Sequence, residues 1–351
     1  MTDLTPDAAA AQRAPIAEIR QLSIDFTARG STVHAVRDLS LTLAAGDALA
    51  LIGESGSGKS ATLRAMMRLH PERRTRLSGS IKIDGQDVLQ LGSRALASFR
   101  GKTVGMVFQE PLLAFDPVCR VGDQIIETIL SHEKISRHAA RARALSLFQQ
   151  VQIPGAERRL LACPHEMSGG MRQRAMIALA LAAGPKLLLA DEPTTALDAT
   201  VQIQILLLLR DLQRELGLSI VFVTHDMGAA AEVADRVAVM YAGQIVEEGA
   251  AAAMFHTPRH PYTQALLRNQ HAGAMTRGER LDILAGSSPD LSVIEQGCAF
   301  APRCAYAIPV CSIAPPPLIE LDAGHVARCV RVAASQPAGT WSAPPTDALA
   351  S

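Results

Sequence analysis

The sequence predicts an α/β fold built on a largely parallel sheet, with a small extension of different character near its C-terminal end. Three observations predict it. An apolar run, ALALI at 48–52, passes into the glycine-rich GESGSGKS at 53–60 and then into ATLRAMMRL, a strand–loop–helix succession. Two further apolar runs, KLLLAD at 186–191 and LSIVFVT at 218–224, flank a long helical pattern over roughly 199–216. Buried strands alternating with helices build a parallel sheet covered on its faces. After about residue 270 glycine, proline and cysteine become frequent, and four of the six cysteines fall between Cys298 and Cys329.

The elements follow in order. Residues 1–15 are rich in alanine, proline and aspartate and read as disordered. From Ile16 two stretches, IAEIRQLSIDF and VHAVRDLSLTL, read as strands, and AAGD at 44–47 turns the chain into ALALI. Residues 79–110 read as short strands and turns, with IKIDG at 81–85 and VGMVFQ at 104–109. About 111–183 is expected to be mostly helical, including SRHAARARALSLFQQV with a cap at Ser136. The main domain is expected over 16–270, the cysteine-bearing extension over 271–332, and a disordered low-complexity tail over 333–351.

A chain of 351 residues, 48% hydrophobic, suits one large domain plus an extension. With 34 basic and 34 acidic residues the net charge is zero, and aromatics make up 3%, so neither charge nor stacking surface points to nucleic acid. No apolar run approaches the roughly 18 residues of a membrane span. The N-terminal MTDLTPDAAAAQRAP carries Asp3 and Asp7 and lacks the apolar centre of a secretion signal. The expectation is a cytoplasmic chain that reaches a membrane only through partners. In that compartment a cysteine cluster suggests metal before disulfide.

GESGSGKS fits G-x-x-x-x-G-K-[ST] at every fixed position, in the context a phosphate-binding loop requires. Gly53, Glu54, Ser55, Gly56, Ser57, Gly58, Lys59, Ser60 and Ala61 are its candidate binding residues. Backbone N–H groups turn toward phosphates, Lys59 reaches the β- and γ-phosphates, and the Ser60 hydroxyl is a candidate ligand of Mg2+. The alternative is a Gly/Ser-rich turn with a chance lysine, and the flanking strand and helix argue against it. KLLLADEP ends an apolar strand on two acids, at the sheet edge where ligands sit. Asp191 is a candidate for the Mg2+ shell and Glu192 for the general base that polarises water. In SGGMRQR at 168–174, Ser168, Gly169 and Gly170 open a helix whose positive end suits a γ-phosphate. Gln109 ends a strand pattern and is placed to sense Mg2+ and water. His225 follows LSIVFVT and is placed to contact the γ-phosphate, and Asp198 follows the acidic pair. Taken alone, a histidine after a strand reads as an ordinary surface or capping residue; the order of the other elements along the chain is what singles out His225.

With these motifs together, the chain resembles the nucleotide-binding subunits of ABC transporters over about 16–270. GESGSGKS, SGGMRQR, DEPTTALD, VMYAGQIVEEG and HTPRHPYTQALL (256–267) are similar to the oligopeptide/dipeptide importer subfamily. GCAFAPRCAYAIPVC with GHVARC resembles that subfamily's cysteine-bearing extension, to about residue 332. The resemblance implies a P-loop NTPase (RecA-like) core with an ABC β-subdomain and a helical subdomain, using ATP and Mg2+. It also implies that Ser168, Gly169 and Gly170 complete the site of an opposite subunit, with Asp198 where the subunits meet. For the base-stacking aromatic, Phe26 is the candidate and His34 the alternative. Met167 stands where leucine is usual and keeps an apolar contact.

The implied partners are two transmembrane permease subunits, a second ABC ATPase as a paralogue in a heterodimer, and an extracytoplasmic solute-binding protein. The implied location is peripheral, on the cytoplasmic face of the inner membrane, with EPLLAFDPVCRVGDQI (110–125) docking a permease helix. The transported solute stays open. One rival reading is a soluble ABC ATPase of DNA repair or translation, but the paired cassettes, coiled coils or basic arms of such proteins are missing. Exporters often fuse the membrane span to the ATPase and lack this tail. A dead cassette would not keep Lys59, Asp191, Glu192 and His225.

Cys298, Cys304, Cys311 and Cys329 follow C-x5-C-x6-C-x17-C, without the C-x2-C of common zinc knuckles. Four such residues can hold an iron–sulfur cluster, a tetrahedral zinc, or remain thiols. The resemblance implies a [4Fe–4S] cluster, expected to be structural and remote from the ATP. Cys119 and Cys163 stand alone and read as ordinary small residues.

Overall fold

The computed structural model describes residues 14–271 and 286–332, apart from 29, 196 and 323. The disorder expected for 1–15 and 333–351 therefore lies outside the described residues, except at Ala14 and Pro15. Two sheets form the frame. The smaller is antiparallel, in the order β2-β1-β4-β5, from β1 (Pro15–Ala28), β2 (Ser31–Ala44), β4 (Thr75–Ile83) and β5 (Gln86–Asp87).

The larger sheet has eight strands. Its centre is parallel: β9 (Arg236–Tyr241), β3 (Ala48–Ile52), β8 (Ser219–Thr224), β7 (Leu187–Asp191) and β6 (Val104–Val107), side by side in that order. Every residue of β3, β7 and β8 is buried. Their side chains alternate between two cores: Ala50, Leu188 and Phe222 face one, and Leu51, Leu189 and Val223 the other. This two-residue period with both faces covered is why these strands read as continuous apolar runs.

Helix α1 (Lys59–Met66) follows β3 directly, and its apolar side packs with β1, β2 and β4. The helical subdomain consists of α3 (Val121–His132), α4 (Arg137–Gln150), α5 (Ala156–Arg159) and α6 (Gly169–Leu181). Ser136 caps α4 by accepting from the Ala139 N–H at 3.2 Å, as its sequence predicts. Helix α7 (Ala199–Leu216) links β7 to β8, α8 (Met227–Val233) follows β8, and α9 (Ala251–His256) and α10 (Pro261–His271) complete the set. One further helix was not foreseen. α2 (Ser93–Lys102) lies within the stretch read as strands and turns, and only Leu96 and Phe99 of its ten residues are buried.

The far edge of the large sheet is antiparallel. β10 (Gln244–Ala250) pairs with β9, and β12 (His325–Ala327) pairs with β10, Glu247 opposite Ala327. β11 (Ile319–Asp322) closes the edge against β12. The extension thus shares the catalytic sheet.

Candidate active site

The carboxyl ends of β3, β8, β7 and β6 open on one edge, and the candidate residues step off those ends. After β3 the chain turns so tightly that two positions exclude a side chain. A Cβ on Gly53 would lie 2.2 Å from the Met240 carbonyl, and one on Gly58, at φ +102°, would lie 2.4 Å from the Ala35 carbonyl. The buried Lys59 ammonium holds the loop from inside, donating to the carbonyls of Gly53 (2.7 Å) and Glu54 (2.8 Å) and to Ser57 Oγ (3.3 Å). Burial lowers its pKa, while the carboxylates of Glu192, Asp191 and Glu54 pull the other way. At the loop's end His70 donates from Nε2 to the Ala61 carbonyl at 2.8 Å.

β7 delivers Asp191 to Ser60, whose hydroxyl donates to Asp191 Oδ1 at 2.6 Å. Asp191 is buried, and its Oδ2 has no hydrogen-bond partner; the Arg64 guanidinium stands 3.5 Å away. A buried carboxylate oxygen with no hydrogen bond, held only by this ion pair, can still accept a metal cation. Ser60 and Asp191 therefore fit Mg2+. Glu192 follows at φ +47°, a strained backbone that aims its side chain off the strand end. Its Oε2 accepts from Gln109 Nε2 at 3.1 Å and from Thr195 Oγ1 at 2.8 Å. Lys59, Ser60, Asp191, Glu192 and Gln109 are thus one constellation. His225 is exposed at the end of β8, on the same edge.

Ser168 caps α6, accepting from the Met171 N–H at 3.3 Å, and Asp198 caps α7, accepting from the Val201 N–H at 3.0 Å. Gly169 and Gly170 lie in the first turn of α6. A Cβ on Gly170 would meet Val201 at 2.9 Å, so the two helix starts touch. Between this turn and Gln109 opens a pocket of about 340 Å³, lined also by Arg172, Thr195 and Leu197. Both candidates for base stacking have contacts within the protein. The half-buried Phe26 ring packs edge-on against His70, 5.1 Å between centroids. His34 Nδ1 hydrogen-bonds Asp25 at 2.7 Å.

The extension reaches the loop from outside. Arg303 donates from both terminal nitrogens to the Glu54 carboxylate, at 2.8 and 3.0 Å, and the Glu54 N–H donates to the Tyr262 hydroxyl at 2.9 Å. Neither residue stood out in the sequence, although both lie in quoted segments, Tyr262 in HTPRHPYTQALL and Arg303 in CAFAPRC. Cys298, Cys304, Cys311 and Cys329 line a single pocket with His260 and Phe300. Burial pushes the thiols of Cys298, Cys304 and Cys329 up, Cys304 to about 11, which keeps them protonated. Among the described residues no group of three or more His, Cys, Asp or Glu is spaced to hold a metal ion. The four thiols converge on one pocket, but as they stand they form no ligand set. The extension nonetheless touches the phosphate loop, because Arg303, next to Cys304, pairs with Glu54.

Comparison with known proteins bears on the family and the fold. The ABC transporter family matches residues 36–195, and the oligopeptide/dipeptide transporter C-terminal region matches residues 246–311. The oligopeptide transport ATP-binding protein OppD of Bacillus subtilis (strain 168) is 47% identical over 312 residues, covering 89% of this chain and 87% of that protein. A dimeric ATP-binding cassette in a post-hydrolysis state, bound to ADP and Pi, superposes with a TM-score of 0.60 at 27% identity, covering 67% of this chain and 98% of that one. The cbiO1 protein of Clostridium perfringens, part of an ABC transporter complex, also scores 0.60, at 26% identity, covering 69% of this chain and 90% of its own.

Proposed function

The chain belongs to the ATP-binding subunits of ABC transporters, and on that premise we infer that it energises uptake of peptides or similar small solutes through partner permeases. Its reaction is hydrolysis of ATP. The observation that carries this reading is the edge where Lys59, Ser60, Asp191, Glu192 and Gln109 meet. Lys59 and the loop N–H groups hold the phosphates. Ser60 and Asp191, with Gln109 beside them, would hold Mg2+, which neutralises phosphate charge when bound. Glu192 takes the proton of the attacking water, and the donors Gln109 and Thr195 fix its carboxylate beforehand. His225 adds a contact to the γ-phosphate from the end of β8.

Ser168, Gly169 and Gly170, with Asp198, act on the nucleotide of a second ATPase subunit, a paralogue in a heterodimer. The dimeric cassette of the same fold supports the pairing. Phe26, with His34 as the alternative, remains the proposed neighbour of the base. The subunit works at the cytoplasmic face of the membrane, supplied by an extracytoplasmic solute-binding protein; among the described residues no helix is long and apolar enough to span a bilayer. An iron–sulfur cluster on Cys298, Cys304, Cys311 and Cys329 rests on the convergence of the thiols alone. Iron and acid-labile sulfide in anaerobically purified protein would establish it, and their absence would dismiss it. A soluble role in DNA repair or translation is disfavoured by the match of residues 246–311 to a transporter region.

The test is Mg2+-dependent ATPase activity of the purified chain, followed by ATP-driven peptide uptake in proteoliposomes holding the permeases. ATPase activity that persists in Lys59→Ala, or uptake that proceeds without this chain, would defeat the reading.

A further inference from the structure

Glu54 is the second residue of the phosphate loop, and three of its polar groups are held at once. Its carbonyl accepts from the Lys59 ammonium at 2.8 Å, its N–H donates to the Tyr262 hydroxyl at 2.9 Å, and its carboxylate takes both arms of the Arg303 guanidinium. Two of these three anchors lie outside the loop, in the C-terminal third of the chain. The Arg303 side chain is 7% exposed and stands over the Tyr241 ring, 5.9 Å from its centroid. A paired, forked contact of this kind fixes direction as well as distance.

Arg303 itself is firmly placed. It ends a short turn, Ala301–Arg303, behind Phe300, which is buried against Tyr241, Tyr262 and His260. The same turn runs between two cysteines. The N–H of Ala301 donates to the Cys298 carbonyl and that of Cys304 to the Ala301 carbonyl, while the N–H of Cys298 donates to the Cys311 carbonyl at 2.7 Å. The backbone that carries the thiols therefore also carries the guanidinium.

We propose that Arg303 is a positioning residue for the nucleotide site, setting the shape of the phosphate loop through Glu54 from within the cysteine-bearing extension. Without it Glu54 loses one of its two outer anchors and its carboxylate is released, so the carbonyl that holds Lys59 is less firmly set against the phosphates. The proposal rests on the phosphate-loop reading, and its test separates the two.

In the full-length chain, affinity for Mg-ATP is measured by calorimetry in a Glu192→Gln background, and KM and kcat in the otherwise native chain. Arg303→Gln and Glu54→Gln are each expected to weaken ATP about tenfold, in the range of ordinary couplings between sites. KM rises in step, and kcat falls by a smaller factor. The Glu54→Gln/Arg303→Gln double variant should bind no worse than either single, because both remove one interaction. Arg303→Lys should recover part of the affinity. Wild-type affinity and KM in Arg303→Gln, with only the melting temperature lowered, would overturn the proposal, as would losses that add in the double variant. Should Arg303→Gln fail to fold, Glu54→Gln breaks the pair without touching the extension, and wild-type binding there overturns the proposal as well. Lys59→Ala is the control. ATP lost in Lys59→Ala but kept in Arg303→Gln defeats the positioning role alone, whereas ATP kept in Lys59→Ala defeats the phosphate-loop reading with it.

Discussion

The parallel strands and the extension converge on the same phosphate loop by opposite means. β3, β7 and β8 are buried at every residue, and the catalytic groups simply step off their ends. In the extension apolar side chains stand in solvent, Val293 at 58% and Ile313 at 71% exposure. It is held by the pairing of β12 with β10 and by a few specific ties: Phe300 in the aromatic cluster, the His325–Glu247 hydrogen bond, and the Arg303–Glu54 pair. Burial spread over many residues makes the edge of the sheet robust. Placement by single contacts makes the extension sensitive at single residues, and it can carry those changes to the loop.

The largest expected effect breaks the strand side of the comparison. Glu192→Gln should cut turnover about 10²–10⁴-fold, the usual share of a general base, with ATP binding kept. Phosphate release at a near-native rate would remove Glu192 from that role. On the extension side, Phe300→Ala empties a position 3% exposed among Tyr241, Tyr262 and His260, and should cost about 3–5 kcal/mol. Denaturant melts of the two proteins measure it. An unchanged midpoint would mean that polar ties, not this ring, hold the extension down.

The same contrast governs what could be read from the sequence. Lys59, Ser60, Asp191 and Glu192 were legible because a fixed loop spacing and an apolar strand ending in acids are local patterns. The cap at Ser136 was local too. Helix α2 was missed because its ten residues bury only Leu96 and Phe99, too few to set a period. Arg303 and Glu54 are 249 residues apart and Glu247 and His325 are 78 apart, so no window along the chain contains either pair. Phe26 lies in a strand pattern in any reading; only the fold shows its ring turned to His70.

A pH titration sharpens the comparison next. His260 is wholly buried beside Glu247 and below Phe300, and burial depresses its pKa from 6.5 to about 4, against opposing pulls from the Glu247 carboxylate and the Arg328 backbone. In the unfolded chain this histidine takes a proton below pH 6.5, whereas in the folded chain it stays neutral until about pH 4. Its contribution is therefore complete above pH 6.5 and is lost as pH falls from 6.5 toward 4, by up to about 3 kcal/mol. Unfolding free energies measured across that range should fall in the native protein and fall less in His260→Gln. Parallel curves would show that His260 titrates in the fold as it does in the unfolded chain.

The smallest effect tests a tie that is local on both counts. Ser136 caps α4 through one hydrogen bond to Ala139, three residues on, with no contribution from another element. Ser136→Ala leaves one helix N–H to water and should cost about 1 kcal/mol. The helix lies in the helical subdomain, packed through Ala140, Ala144, Leu147 and Phe148. Nothing in the cap reaches Glu54 or Lys59, so the KM for ATP should not move. Arg303→Gln is the counterpart, a single change at long range that shifts KM. If Ser136→Ala raises KM as much, the sensitivity of the loop belongs to stability in general and the distinction between the two regions fails.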